Sequence, residues 1–266
     1  MDEKITLIGC GNLGSALLRG WLESGCFQPS QFTITRRNID TLHHFSQQGV
    51  RCMSDNAQAA ESADIIILAL KPYNMAGVLE GIQDLLRVKN PIIVSLSSGL
   101  TLSEIREMLG KDQNVSLFRV MPNTAADVGQ SMSCICMDHE DQKGLERVSR
   151  LFDRLGKSTV IDESLMDAAT VLGACGIAYV MRFIRAMVQG GIQIGFDAST
   201  ASHIVQQVVQ GAACLLTERE LHAEAEIDKV TTPRGCTITG LNEMEHNGFS
   251  SSLIKGVLAS YEQMSD

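Results

Sequence analysis

The stretch Thr231-Thr-Pro-Arg-Gly-Cys-Thr-Ile-Thr-Gly240 has no carboxylate and no aromatic ring, and it sets a proline just ahead of what reads as a helix start. Proline there is preorganised and needs no amide donor, while the N–H groups that follow, those of Gly235, Cys236 and Thr237, are candidates to lack a partner within the helix. A cluster of such donors suits the carboxylate of a small ligand. Thr237 adds a hydroxyl for a second polar atom of that ligand. Arg234 either strengthens the attraction for a carboxylate or faces solvent. The competing account is a plain helix cap from Thr231 or Thr232.

A second chemical feature lies at the other end of the chain. In ITLIGCGNLGSALLRGWL, Gly9, Gly11 and Gly14 form GxGxxG between a strand and an amphipathic helix. Gly9 allows a tight turn, Gly11 lets backbone approach a pyrophosphate, and Gly14 permits close packing, with helix-terminal N–H groups left for phosphate. The second strand ends in Thr33-Ile-Thr-Arg-Arg-Asn38. A site for NAD would usually carry Asp or Glu there, whereas Arg36 and Arg37 suit a 2′-phosphate, so NADPH is favoured and NADH stays possible. Later strand ends, Ala69-Leu-Lys-Pro72, Leu96-Ser-Ser-Gly99 and Arg119-Val-Met-Pro-Asn-Thr124, are expected to line the nicotinamide side, because ligands of open α/β sheets sit beyond the carboxyl ends of strands.

These features need elements to hold them. Residues 4 to about 162 alternate short β-branched runs with amphipathic stretches, as βαβ units do. The expected strands are KITLIG, QFTITR, ADIIILAL, PIIVSLS, VSLFRV, SMSCICM and KSTVID. After Asp162 the pattern is helical throughout, with breaks before Asp197, at TTP and at the Asn-Gly before Phe249. An α/β domain over 1–162 and an all-helical one over 163–266 follow, with the active site expected in a cleft between them. Apolar and small residues crowd several faces of VLGACGIAYVMRFIRAMVQGG and HIVQQVVQGAACLL, so homo-oligomerisation through this half is expected, with a monomeric bundle as the alternative.

Composition bounds the partners. The 266 residues carry a formal net charge of −9 and are 44% hydrophobic, which fits a packed globular protein and argues against a broad nucleic-acid or anionic-membrane surface. The apolar run Ala168 to Met181 is shorter than a membrane span and is expected to be a buried helix. MDEKITLIGCG lacks the basic region and apolar core of an export signal, and eight cysteines without such a signal suggest reduced thiols in the cytoplasm. Cys134 and Cys136 share a strand face and read as buried thiols. The six histidines have no metal-like spacing, so no metal is assigned. Trp21 is expected in the core.

The motifs IGCGNLGSALLRG, LALKP, SSGLTL, RVMPNTAADVGQ, DAATVLGACGIAYV and TTPRGCTITGL, in this order and nearly end to end, resemble the pyrroline-5-carboxylate reductases. The resemblance implies a Rossmann domain followed by a helical dimerisation domain, and NADPH-dependent reduction of 1-pyrroline-5-carboxylate to L-proline. It also implies homodimers that associate further, commonly into decamers. Cofactor roles then fall on Ile8, Gly9, Cys10, Gly11, Asn12 and Leu13, on Arg36 and Asn56, on Ala69, Leu70, Lys71 and Pro72, and on Leu96, Ser97 and Ser98. Substrate roles fall on Glu163, Glu220, Cys236 and Thr237. Two segments depart from the family pattern: Gly173-Ala-Cys-Gly-Ile-Ala-Tyr179 stands for SGSGPAY, and in Thr232-Pro-Arg-Gly-Cys-Thr237 Arg234 replaces a glycine. A reductase of another cyclic imine acid and a non-catalytic NADP(H)-binding sensor or partner protein are the alternatives. A β-hydroxyacid dehydrogenase is disfavoured, since no lysine occurs between Ser158 and Asp228.

Overall fold

The computed structural model describes residues 3–110 and 113–265. The sequence expectations that touch Met1, Asp2 and Asp266 lie outside them. The chain divides into two compact units, one up to Ile177 and one from Ala178 on. The division falls further along than the change of pattern at Asp162, because Met166, Thr170 and Val171 are buried in the first unit.

The first unit is built on a sheet of eight strands among the described residues: β1 Ile5–Ile8, β2 Phe32–Thr35, β3 Arg51–Met53, β4 Ile65–Leu68, β5 Ile92–Ser95, β6 Leu117–Met121, β7 Ser131–Met137 and β8 Gly156–Val160. Their order is β3-β2-β1-β4-β5-β6-β7-β8. Ile5 of β1 sits opposite Phe32 of β2 on one side and Ile65 of β4 on the other. This is the doubly wound order of dinucleotide-binding sheets, with the topological switch at β1 and β4.

β1, β2, β4, β5 and β6 are buried along their length, as strands covered on both faces must be. Leu7, Ile34, Ile67, Val94 and Phe118 pack on one face with Leu17, Leu18, Trp21, Val148 and Phe152. Trp21 is fully buried, donates its indole N–H to the Leu151 carbonyl at 2.9 Å and stacks on Phe32 at 5.7 Å. Ile8, Ile66, Leu68 and Ile93 face the other way, against Met75, Leu79, Ile82 and Ile105.

Two features depart from the expected βαβ series. β3 was not among the expected strands; three residues with mixed exposure carry too little alternation to be read. β7 runs antiparallel to β6, because residues 122–130 are too few for the crossover that a parallel pair needs. Instead Asn123 accepts the Ala125 N–H at 3.0 Å and Gly129, at φ +66°, reverses the chain.

The second unit holds the rest of the helix Gly176–Gln193, then Ala198–Arg219, Ala223–Val230, Cys236–His246 and Phe249–Ser265. Asp197 accepts the N–H groups of Ser199 and Thr200 at 3.0 Å, which fixes one start. The expectation of a buried helix after Ala168 is corrected here. No residue of Gly176–Gln193 is buried in the single chain, and Val180, Met181, Val208 and Leu253 lie open. The continuous helical run is also longer than Ala168–Met181 suggested. Glu163–Gln193 is long and apolar enough to cross a membrane by length and composition alone, which is weak evidence for a single helix.

Candidate active site

A cavity of about 650 Å³ opens beyond the carboxyl ends of β1, β2 and β4. Of the expected cofactor residues, Ile8, Gly9, Gly11, Arg36, Arg37, Asn56, Ala69, Leu70 and Lys71 line it. Gly9 is at φ +89° and its N–H and that of Cys10 both donate to the Thr35 carbonyl, at 3.2 and 2.8 Å. Thr35 Oγ1 donates to Asn56 Oδ1 at 2.7 Å, which ties the ends of β1 and β2 to the Asn56–Ala60 helix.

Arg36, Arg37 and Lys71 bring three cations to this lining, without any carboxylate. Two helix starts, Asn12–Glu23 after Gly11 and Pro72–Lys89 after Lys71, have no side-chain cap. Guanidinium groups with no ion pair among the described residues, beside uncapped helix starts, form an anion cradle, so the residues present fit a phosphorylated dinucleotide with a 2′-phosphate.

The other expected cofactor residues stand elsewhere. Cys10 is fully buried beside Ser15, 3.5 Å from its hydroxyl, and burial raises the thiol above its ordinary pKa. Asn12, Leu13 and Gly14 form the first turn of their helix, and Pro72 that of its own. Leu96 and Ser97 are buried and Ser98 is exposed; none of the three lines this cavity. Thr35, Asn38, Ser54, Tyr73, Asn74, Gly77 and Val78 line it without having been singled out in the sequence. Tyr73 and Gly77, like Asn74 and Val78, are four apart, so helical spacing after Pro72 carried that signal.

RVMPNT does not form an open wall. Arg119 is 2% exposed and turned into the sheet unit, where its guanidinium lies 3.2 Å from Asp167 and 3.6 Å from Glu163. Asn123 Nδ2 donates to the Gly173 carbonyl at 3.1 Å, inside the π-helical turn Thr170–Cys175. The first departure from the family pattern thus starts in an irregular turn held by RVMPNT. All eight cysteines are free thiols. Cys136 is buried and pushed up to about 12, by burial first and by the Glu163 charge second, while Cys134 is half-buried.

In the second unit, Thr232-Pro233-Arg234-Gly235 makes a turn in which the Gly235 N–H donates to the Thr232 carbonyl at 2.9 Å. Gly235 is therefore engaged rather than free. Arg234 is at φ +61°, the left-handed position that glycine favours in a proline-led turn. The helix begins at Cys236, with Gly235 at the cap and no side-chain acceptor there. Thr231 does not cap it, since its hydroxyl donates back to the Asp228 carbonyl at 3.1 Å. The helix thus starts with exposed Cys236 and Thr237, whose N–H groups have no acceptor in the preceding turn. Glu220 is exposed at φ +52° and ends the Ala198–Arg219 helix. Glu163 belongs to the first unit, where its Oε1 accepts the Leu102 N–H at 2.6 Å.

A Rossmann sheet with a cation-lined cavity, joined to a helical half with open apolar faces, defines an NADP-type oxidoreductase. Residues 4–99 match the family described as "NADP oxidoreductase coenzyme F420-dependent", and residues 163–266 match "Pyrroline-5-carboxylate reductase dimerisation". Pyrroline-5-carboxylate reductase 2 of Dictyostelium discoideum is 39% identical over 278 residues, covering 99% of this chain and 93% of that protein. Pyrroline-5-carboxylate reductase 1 of the same organism is 41% identical over 98% of this chain, which spans only 49% of that protein's length. The crystal structure of the Plasmodium falciparum pyrroline carboxylate reductase with NADP bound superposes with a TM-score of 0.89, at 27% identity and 98% and 97% coverage of the two chains. The chain belongs to the pyrroline-5-carboxylate reductase family. Its dimerisation half supports homo-oligomerisation.

Proposed function

We propose that this chain reduces 1-pyrroline-5-carboxylate to L-proline, the last step of proline biosynthesis, with NADPH as the reductant. Its likeness over the whole chain to reductases of that name supports the reaction. The observation that carries the substrate assignment is the exposed helix start at Cys236 and Thr237, with no side chain capping it. Their two N–H groups donate to the substrate carboxylate, where the positive end of the helix dipole also acts.

The ring nitrogen is protonated before reduction, because an iminium carbon accepts hydride far more readily than a neutral imine. Thr237 Oγ1 accepts a hydrogen bond from that N–H and so orients the ring. When bound, NADPH supplies the hydride that adds to the imine carbon, turning the C=N bond into C–N and leaving a neutral secondary amine and NADP⁺. The chain's own task is to hold and orient, with little acid–base work. In the first unit, Ile8, Gly9, Gly11, Arg36, Arg37, Asn56 and Ala69 to Lys71 hold the dinucleotide, with Cys10, Asn12 to Gly14 and Pro72 shaping its turns and Leu96 to Ser98 on the nicotinamide side. Glu163 and Glu220 shape the substrate pocket. A functional division at 162/163, where the dimerisation match begins although the packing divides after Ile177, a homodimer through the helical half that associates further to a decamer, a cytoplasmic location, and no nucleic-acid or membrane partner complete the proposal.

Purified protein is expected to oxidise NADPH only when 1-pyrroline-5-carboxylate is added. Thr237→Ala removes one hydrogen bond to a charged group, about 1.5–2 kcal/mol, so kcat/KM is expected to fall roughly 10- to 30-fold. Tight NADPH binding with no oxidation on adding this imine would end the proposal.

A further inference from the structure

Arg119 lies in the middle of β6, on the face that it shares with Leu117, Met121, Cys136 and Met166. That face is apolar. Its guanidinium is 2% exposed, meets Asp167 and Glu163 at 3.2 and 3.6 Å, and leaves Nε buried without a hydrogen-bond partner. Desolvating a guanidinium with one donor unmatched, against carboxylates that keep 32% and 40% of their side-chain exposure, is a poor route to stability. The arrangement calls for a positional role.

Glu163 shows what is positioned. The same Oε1 that lies nearest the guanidinium accepts the Leu102 N–H at 2.6 Å, at the first residue of the Leu102–Leu109 helix. Thr101 and Glu104 already cap that helix reciprocally. The extra carboxylate is not needed to start the helix; it ties the end of the Leu96–Thr101 loop to β6. Were Arg119 absent, Glu163 would lose its cation and could turn away from Leu102.

We propose that Arg119 is a positioning residue of the reductase: by holding Glu163 it fixes the Leu96–Ser98 loop and the Glu163 carboxylate in the form that accepts the imine acid. This rests on the roles proposed above for Glu163 and for the loop. The test uses Arg119→Met, Glu163→Gln and the double variant. Without any ligand, hydrogen exchange in the 96–102 segment of Arg119→Met is expected to rise about tenfold, with Tm, compared at equal protein concentration, only slightly lowered because both carboxylates left behind keep access to water. In turnover, KM for the imine acid is expected to rise roughly tenfold in each single variant and KM for NADPH by a smaller factor, since only the nicotinamide side of its site is loosened, and the double variant should be no worse than the poorer single one, as for residues acting as a unit.

Additive losses, or a lowered Tm with both KM values unchanged, would overturn the proposal. Glu163→Gln keeps an acceptor for Leu102 and carries the test if Arg119→Met does not fold; a wild-type KM for the imine acid in it would also overturn the proposal. A wild-type protein that fails to turn over 1-pyrroline-5-carboxylate would instead sink the assigned reaction, and the exchange result would still judge the latch.

Discussion

Gly9→Ala is expected to abolish measurable NADPH binding and to lower stability by roughly 2–5 kcal/mol. Gly9 sits at φ +89°, where an L side chain costs about 1–2 kcal/mol. A Cβ there would also come within 2.7 Å of both the Ala69 carbonyl oxygen and Leu70 Cδ2. The first of these is backbone of the neighbouring strand end and cannot swing aside, so overpacking adds about 1–3 kcal/mol. Relief can come only by parting the β1 and β4 turns, which are the floor of the cavity. Denaturant unfolding and calorimetric titration with NADPH measure both parts. A variant with native stability and native affinity would show that the turn is not the cradle.

The second large effect is on cofactor choice. Arg36→Ala combined with Arg37→Ala removes both guanidinium groups that follow β2, and no carboxylate lines the cavity to take up a ribose hydroxyl in their place. Two charge-assisted contacts with a 2′-phosphate are together worth about 3 kcal/mol, so Kd for NADPH should rise roughly 100-fold. Kd for NADH, which lacks that phosphate, should hardly move. Titrations with both nucleotides decide it: an equal loss for the two would mean that the arginines act on the shared part of the molecule or on the fold.

Much of this site was legible because it depends on local rules. A glycine turn between strand and helix, and arginines where an acid is usual, are statements about one βαβ unit. Tyr73, Asn74, Gly77 and Val78 were legible in principle through the period of the Pro72–Lys89 helix, once one knew which face it turns to the cavity. The reversal of β7 was not visible in its composition, since SMSCICM reads alike in either direction; only the short 122–130 connection encodes it. Arg119 illustrates a different limit. A single cation between Phe118 and Val120 looks like a solvent-facing residue, and the acids that hold it inside come from a distant stretch of chain.

The helix after Thr232-Pro-Arg-Gly235 does start without a side-chain cap, but Gly235 is not among its free donors, because its N–H closes the turn on Thr232. Sequence shows which amides a helix cannot use, not which the preceding turn has taken. In the same way, the apolar run Ala168 to Met181 reads as a helix buried within the chain, whereas Leu172, Val180 and Met181 lie open in it. Hydrophobicity says that a face must leave water, but not whose side chains will cover it.

The open faces of the helical half have a thermodynamic consequence. Val180, Met181, Phe249, Leu253 and Leu258 remain in contact with water in a lone chain, and a groove of about 790 Å³ lined by Tyr179, Phe183, Met244 and Phe249 runs among them. Much of the free energy that holds this half together must then come from association, so folding and assembly are linked by mass action. Such a protein has no single melting temperature. Its midpoint climbs with protomer concentration, and dilution acts on it as a denaturant does.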